Sequence, residues 1–229
     1  MGKYNIERRF PWEGRITEKS AAVMKMFGVD VKRLQESTIC HRCEVEISKG
    51  EVCYITGASG SGKSLLLREL YQAVNSEGRI NLEEIDFPQG TSVVDCIAGN
   101  FYESLQTLSA AGLSDILCVL NEPRYLSEGQ KYRLRLAMAL CSGAKMIFAD
   151  EFCSNLDRIT AAVIAYNIRK YADRYGVGFV LASSHEDIVG DLSPDVLIFK
   201  QLNGSARVVY RENRDQWKGD EQLQCYETS

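Results

Sequence analysis

The chain has 229 residues, 45% of them hydrophobic, with a formal charge of −4 and a pI near 5.4. That length can bury a core without metal or disulfide staples, and the acidic balance gives no whole-chain electrostatic argument for nucleic acid as a partner. No apolar stretch reaches bilayer-spanning length and the start, MGKYNIERRFPWEGRITEKS, has no apolar signal core, so a cytoplasmic protein is expected, peripheral to a membrane only through a partner.

Residues 1–39 read as an N-terminal extension, polar and aromatic-rich over 1–19. TEKSAAVMKMFG predicts a short helix capped by Thr17 and stopped by Gly28. Cys40 and Cys43 form a C-x-x-C pair, CHRC, but no second pair stands at zinc-site spacing, so they read as a strand-edge coincidence. Of the eight cysteines, Cys53, Cys96, Cys118 and Cys141 fall in apolar stretches and read as small buried hydrophobes. VEIS, Gly50 and EVCYIT predict strand, turn and strand, followed by a helix from about Lys63. RINLEEIDF predicts strand and turn. Val93 to Gly143 has no strand-like run and is expected to be a helical lobe, broken near Gly99 and Gly112, whose last helix starts at Ser127. KMIFAD and VGFVLASS predict strands on either side of the long helix ITAAVIAYNIRKYADRYG. DVLIFK and ARVVYR predict two late strands around Asn203–Gly204. The expected core, 40–212, is thus α/β with buried parallel strands, and 213–229 is a tail.

GASGSGKS carries the first chemistry. Gly57, Gly62, Lys63 and Ser64 match G-x-x-x-x-G-K-[ST] between a strand and a helix, the context in which that loop cradles phosphate. Glycine lets the backbone curl around oxygens that a Cβ would obstruct, and backbone N–H groups with the helix N-terminus then face the anion. Ala58, Ser59, Gly60, Ser61 and Leu65 complete the expected cradle. Lys63 is expected on the β and γ phosphates and Ser64 on Mg²⁺. After the apolar strand KMIFA, Asp150 is placed to hold Mg²⁺, and Glu151 to orient water or take its proton.

With LSEGQ at Leu126–Gln130, the sequence resembles the ATP-binding-cassette ATPases, whose signature loop reads LSGGQ before a basic and apolar helix such as QKYRLRLAMAL. The resemblance implies a P-loop NTPase of that type: a central, mostly parallel sheet with a small helical lobe. It implies ATP and Mg²⁺ as cofactors and a head-to-tail homodimer. In that arrangement Ser127 and Gly129 meet the γ-phosphate held by the opposite copy, with Gln130 beside them. Gln89 in FPQGTSVVDCI resembles the glutamine that senses metal and attacking water and couples ATP to a partner. Asp157 in SNLD resembles a dimer-contact aspartate, and His185 in SSHED the histidine that contacts the γ-phosphate. Glu128 departs from the usual glycine. For the aromatic that stacks on adenine, Phe27 is the candidate, with Val31 or Leu34 as apolar alternatives. The implied activity is ATP hydrolysis that drives a soluble partner or a fused domain. The alternatives are a subunit docked on a membrane permease and a nucleotide-gated regulatory module with little turnover.

Overall fold

The computed structural model describes residues 2–9, 12–36, 40–202, 204–213 and 216–217. Gly2–Arg9 form a strand, β1, which pairs antiparallel with β2, Cys40–Ile47, from Gly2↔Ile47 to Arg9↔Cys40. A division of the chain at residue 39 therefore cuts across a strand pair, and the extension reaches into the same two-stranded sheet as the start of the core. Between the two strands lie α1, Glu18–Phe27, and α2, Val31–Glu36. Thr17 caps α1 in a reciprocal box with Ser20, and Gly28 ends it in the left-handed region (φ 63°). No residue of α1 is buried.

A second sheet has seven strands in the order β4-β5-β6-β3-β7-β8-β9. In chain order they are β3 (Val52–Thr56), β4 (Arg79–Asn81), β5 (Met146–Ala149), β6 (Gly178–Ala182), β7 (Val196–Lys200), β8 (Ala206–Asn213) and β9 (Gln216–Trp217). The first five in spatial order run parallel, and β8 and β9 add antiparallel. Beyond β9, the expected tail lies outside the described residues. Strands buried on both faces need apolar residues throughout rather than in alternation, and VCYIT, MIFA and GFVLA meet that need. Their alternate residues serve two cores. Cys53, Ile55, Phe148, Val180 and Ile198 pack with Leu66, Leu67 and Leu70 of α3 (Lys63–Ala73) and with Ile6, Val45 and Ile47 of the small sheet. Tyr54, Ile147, Ala149, Phe179 and Leu181 face the other way.

That second face is covered by α6 (Glu128–Cys141) and α7 (Arg158–Tyr175) through Leu134, Leu136, Ile164 and Ile168. Burial of each such side chain contributes about 1.5–3 kcal/mol. Residues 93–143 carry α4 (Phe101–Ala110), α5 (Ile116–Leu120) and α6, with no strand among them. The last helix among the described residues, α8, spans Val189–Leu192. Cys40 and Cys43, three apart on β2, point to opposite faces, so the pair cannot grip one ion. Burial pushes the Cys43 thiol up to about 11. Cys53 is buried as expected, whereas Cys96, Cys118 and Cys141 are only half-buried.

Candidate nucleotide site

β3 ends at Thr56, and the chain then turns through Gly57–Gly62 into α3. Two glycines are required by close approach as well as by positive φ. A Cβ on Gly57 (φ 138°) would stand 2.2 Å from the carbonyl oxygen of Lys200. One on Gly62 (φ 92°) would stand 2.8 Å from the His41 ring. Lys63 folds its ammonium back onto the loop, donating to the carbonyls of Gly57 at 2.7 Å and Ala58 at 3.0 Å. An incoming phosphate would compete for that ammonium. Ala58, Ser59, Gly60 and Ser64 are exposed and Leu65 is half-buried. Ser61 is buried, and its hydroxyl and that of Thr56 have no hydrogen-bond partner among the described residues, so polar groups at both ends of the loop stand unsatisfied.

The other catalytic candidates arrive at the same end of the sheet by strand order. β6 lies between β3 and β5, with Ile55↔Ala182 and Ala149↔Leu181 in register. The carboxyl ends of β3 and β5 are therefore two strand spacings apart, about 10 Å. Asp150 and Glu151 follow β5. Asp150 accepts the Glu151 N–H at 2.9 Å, and Phe152 N–H donates to the Ala182 carbonyl at 2.8 Å, tying this turn to the end of β6. Glu151 (φ 46°) and Cys153 (φ 60°) both sit in the left-handed region, a strain of about 1–3 kcal/mol each that presents the exposed Glu151 carboxylate.

His185 lies in the loop after β6. Ser183 N–H donates to the Ile55 carbonyl at 3.0 Å, and His185 N–H donates to Ser183 Oγ at 3.2 Å. The imidazole is 45% exposed, with Nδ1 3.8 Å from the Asp187 carboxylate. Beneath it the Tyr54 hydroxyl donates to the His185 backbone carbonyl. Gln89 is exposed in the loop that leaves β4. Its segment is pinned on α6, where Arg135 Nε donates to the Ile85 carbonyl at 3.2 Å and the guanidinium lies over the Phe87 ring.

Ser127, Gly129 and Gln130 belong to a different surface. Ser127 caps α6: its hydroxyl accepts the Gln130 N–H at 3.3 Å, and its own N–H donates to Gln130 Oε1 at 2.9 Å. Gln130 Nε2 donates to Cys118 Sγ at 2.7 Å, so both ends of that amide are engaged within the chain. A Cβ on Gly129 would lie 3.5 Å from the Asn155 carbonyl oxygen and 3.6 Å from Leu156; the signature loop thus abuts the SNLD loop of its own chain. Glu128 pairs with Lys131 at 2.8 Å, which holds its carboxyl below the ordinary value. Asp157 caps α7, accepting from Thr160 N–H at 3.0 Å and Oγ1 at 2.7 Å, and these bonds lower its pKa. The P-loop glycines abut Lys200 and His41; the signature loop touches Asn155, Leu156 and Cys118.

Phe27 is exposed at the end of α1, and Val31 and Leu34 are half-buried on α2. The His41 ring packs against the P-loop at Gly62, a contact that CHRC does not announce. Tyr54 was hidden as one more apolar letter in VCYIT; an aromatic hydroxyl in a doubly buried strand, which must find a partner, was the available signal. Ser64, Gln89 and Asp150 offer hydroxyl, amide and carboxylate oxygens. This all-oxygen donor set, with few protein ligands, suits Mg²⁺, which keeps several of its waters.

A family model described as ABC transporter matches residues 40–99. The nickel import ATP-binding protein NikD of Brucella suis biovar 1 (strain 1330) is 25% identical over 221 residues, covering 80% of this chain and 84% of the relative. The lipoprotein-releasing system ATP-binding protein LolD of Shewanella denitrificans is 25% identical over 198 residues, covering 70% and 84%. A solved structure described as the dimeric post-hydrolysis state of the ATP-binding cassette MJ0796, bound to ADP and Pi, superposes with a TM-score of 0.61 at 18% identity, covering 76% of this chain and 93% of that one. With the strand–loop–helix phosphate motif, the acidic pair after β5 and the signature before α6 all carried on it, the chain has the P-loop NTPase fold of the ATP-binding-cassette type and is similar to ATPases that bind and hydrolyse ATP.

Proposed function

We propose that two copies of this chain close head to tail on ATP, each completing the other's site. The observation that supports this reading is the separation of two half-sites. Lys63, Ser64, Asp150, Glu151 and His185 emerge at one end of the sheet, whereas Ser127, Gly129 and Asp157 lie on a surface with other neighbours. Phosphoryl transfer to water is a matter of positioning and charge stabilisation. Lys63 gives up its two loop carbonyls for phosphate oxygens, the 57–62 amides cradle the chain of phosphates, and Glu151 orients the attacking water and takes its proton. His185 steadies the γ-phosphate. Ser127 and Gly129 of the second copy close over it, and Asp157 lies along the contact. Ser64, Gln89 and Asp150 would hold Mg²⁺, which supplies neutralisation of phosphate charge. Loss of the γ-phosphate removes the clasp and reopens the pair.

A turnover assay combined with mass measurement tests this. The expected outcome is that Glu151→Gln lowers hydrolysis by about 100-fold or more and shifts to dimer mass with ATP. Unchanged monomer mass for both wild type and Glu151→Gln at saturating ATP would overturn the dimer.

The dimer works on a partner. Phe101 and Tyr102 of α4 and Ile116, Leu117 and Leu120 of α5 are exposed on the helical lobe, and apolar side chains left outside there support a protein contact. Relatives named for import and release systems support a membrane permease as that partner. The α1–α2 insertion, with Val23, Met26 and Phe27 exposed, supports the other reading, a soluble partner or fused domain.

A further inference from the structure

We propose that Tyr54 is a positioning residue for hydrolysis: its buried phenol holds the backbone carbonyl of His185 and so fixes the loop that presents the imidazole. The inference rests on the reading of His185 as a γ-phosphate contact. Tyr54 is the middle residue of β3, the strand that feeds the phosphate loop, and it is fully buried. A phenol there is costly to desolvate unless its hydroxyl is paired. Its hydroxyl donates to the His185 carbonyl, with Ser183 beside it.

Three further contacts make the arrangement a joint rather than a single bond. His185 N–H donates to Ser183 Oγ at 3.2 Å, Ser183 N–H donates back to Ile55 on β3 at 3.0 Å, and Ser183 Oγ lies 3.5 Å from Ser154 Oγ in the turn after Glu151. Both main-chain polar groups of His185 are thereby engaged below, while its side chain points out. Tyr132, on the helix that follows the signature loop, buries its hydroxyl against the Cys153 backbone. The joint thus touches the phosphate strand, the acidic turn and the histidine loop. Burial pushes the Tyr54 phenol well up, so it remains a donor across the working pH range.

Tyr54→Phe keeps the ring and removes only the donor. The expected result is a kcat lower by about tenfold, the order a modest misplacement costs, with KM for ATP within about twofold, because the phosphate cradle is untouched. In a His185→Ala background, Tyr54→Phe should lower kcat no further. Thermal melting and nucleotide binding report on the fold of each variant. Full activity in Tyr54→Phe, with His185→Ala impaired, overturns the positioning role alone. So does a Tyr54→Phe effect that multiplies undiminished onto His185→Ala, and so does a Tyr54→Phe chain that fails to fold, since the hydroxyl then serves the core. Full activity in His185→Ala overturns the reading of the histidine and the positioning role with it.

Discussion

His41 shows how one side chain ties the small sheet to the nucleotide loop. Its ring occupies the space a Cβ on Gly62 would fill, one residue before Lys63. Arg8 on β1, Arg42 and Cys43 on β2, and Lys200 on β7 line the same small cavity as the ring. Burial, then the Lys200 ammonium, lower its pKa. A histidine lowered in the fold binds its proton first in the unfolded chain. Its neutral form is native-like above the unfolded value of about 6.5, and stability is lost as pH falls from there through the lower folded value. The melting temperature of wild type should therefore fall more steeply than that of His41→Gln between neutral pH and about pH 5.5. Parallel curves for the two proteins would show that His41 does not titrate against the fold. The phosphate loop's chemistry was legible in GASGSGKS because its spacing alone dictates what the backbone can hold. The His41 contact was not, because it joins residues 21 apart through a pairing that CHRC does not announce.

Elements behave the same way. Helices closed by their own caps are written locally: Thr17 and Gly28 bound α1, Ser127 opens α6 and Asp157 opens α7. The apolar runs of β3, β5 and β6 were equally plain. β1 was not, since GKYNIERR buries only Ile6 among its eight residues and gains its identity from pairing with β2 some thirty residues on. Likewise, the lack of a strand-like run marked 93–143 as helical but could not say which apolar residues the lobe would leave outside. The structure leaves Phe101, Tyr102, Ile116, Leu117 and Leu120 exposed. If that face meets a permease, the native chain sediments with membranes and Leu117→Glu releases it to the supernatant, with ATP binding retained because the P-loop lies on other elements. A native chain found wholly in the supernatant would favour the soluble partner and remove the permease reading.

For the whole molecule, the question is whether one chain contains a working site. Its sheet gathers the phosphate loop, the acidic pair and the histidine at one end, while the signature loop packs on the SNLD loop of its own chain. A two-fold pair with each signature loop on the other's nucleotide makes complementary defects curable. Lys63→Ala removes the ammonium from one half-site. Gly129→Asp sets a carboxylate in the other, and the fold tolerates it, since a Cβ there meets Asn155 at an ordinary 3.5 Å. Each variant alone should be nearly inactive. Mixed in equal amounts, half of the dimers carry one intact composite site, so about a quarter of the wild-type sites return if the two sites act independently. Chains that worked singly, or that paired with each signature loop on its own nucleotide, would show no recovery at any mixing ratio. The recovery should also vanish on dilution below the dimer's dissociation constant and return as the ATP concentration is raised, if triphosphate holds the two surfaces together.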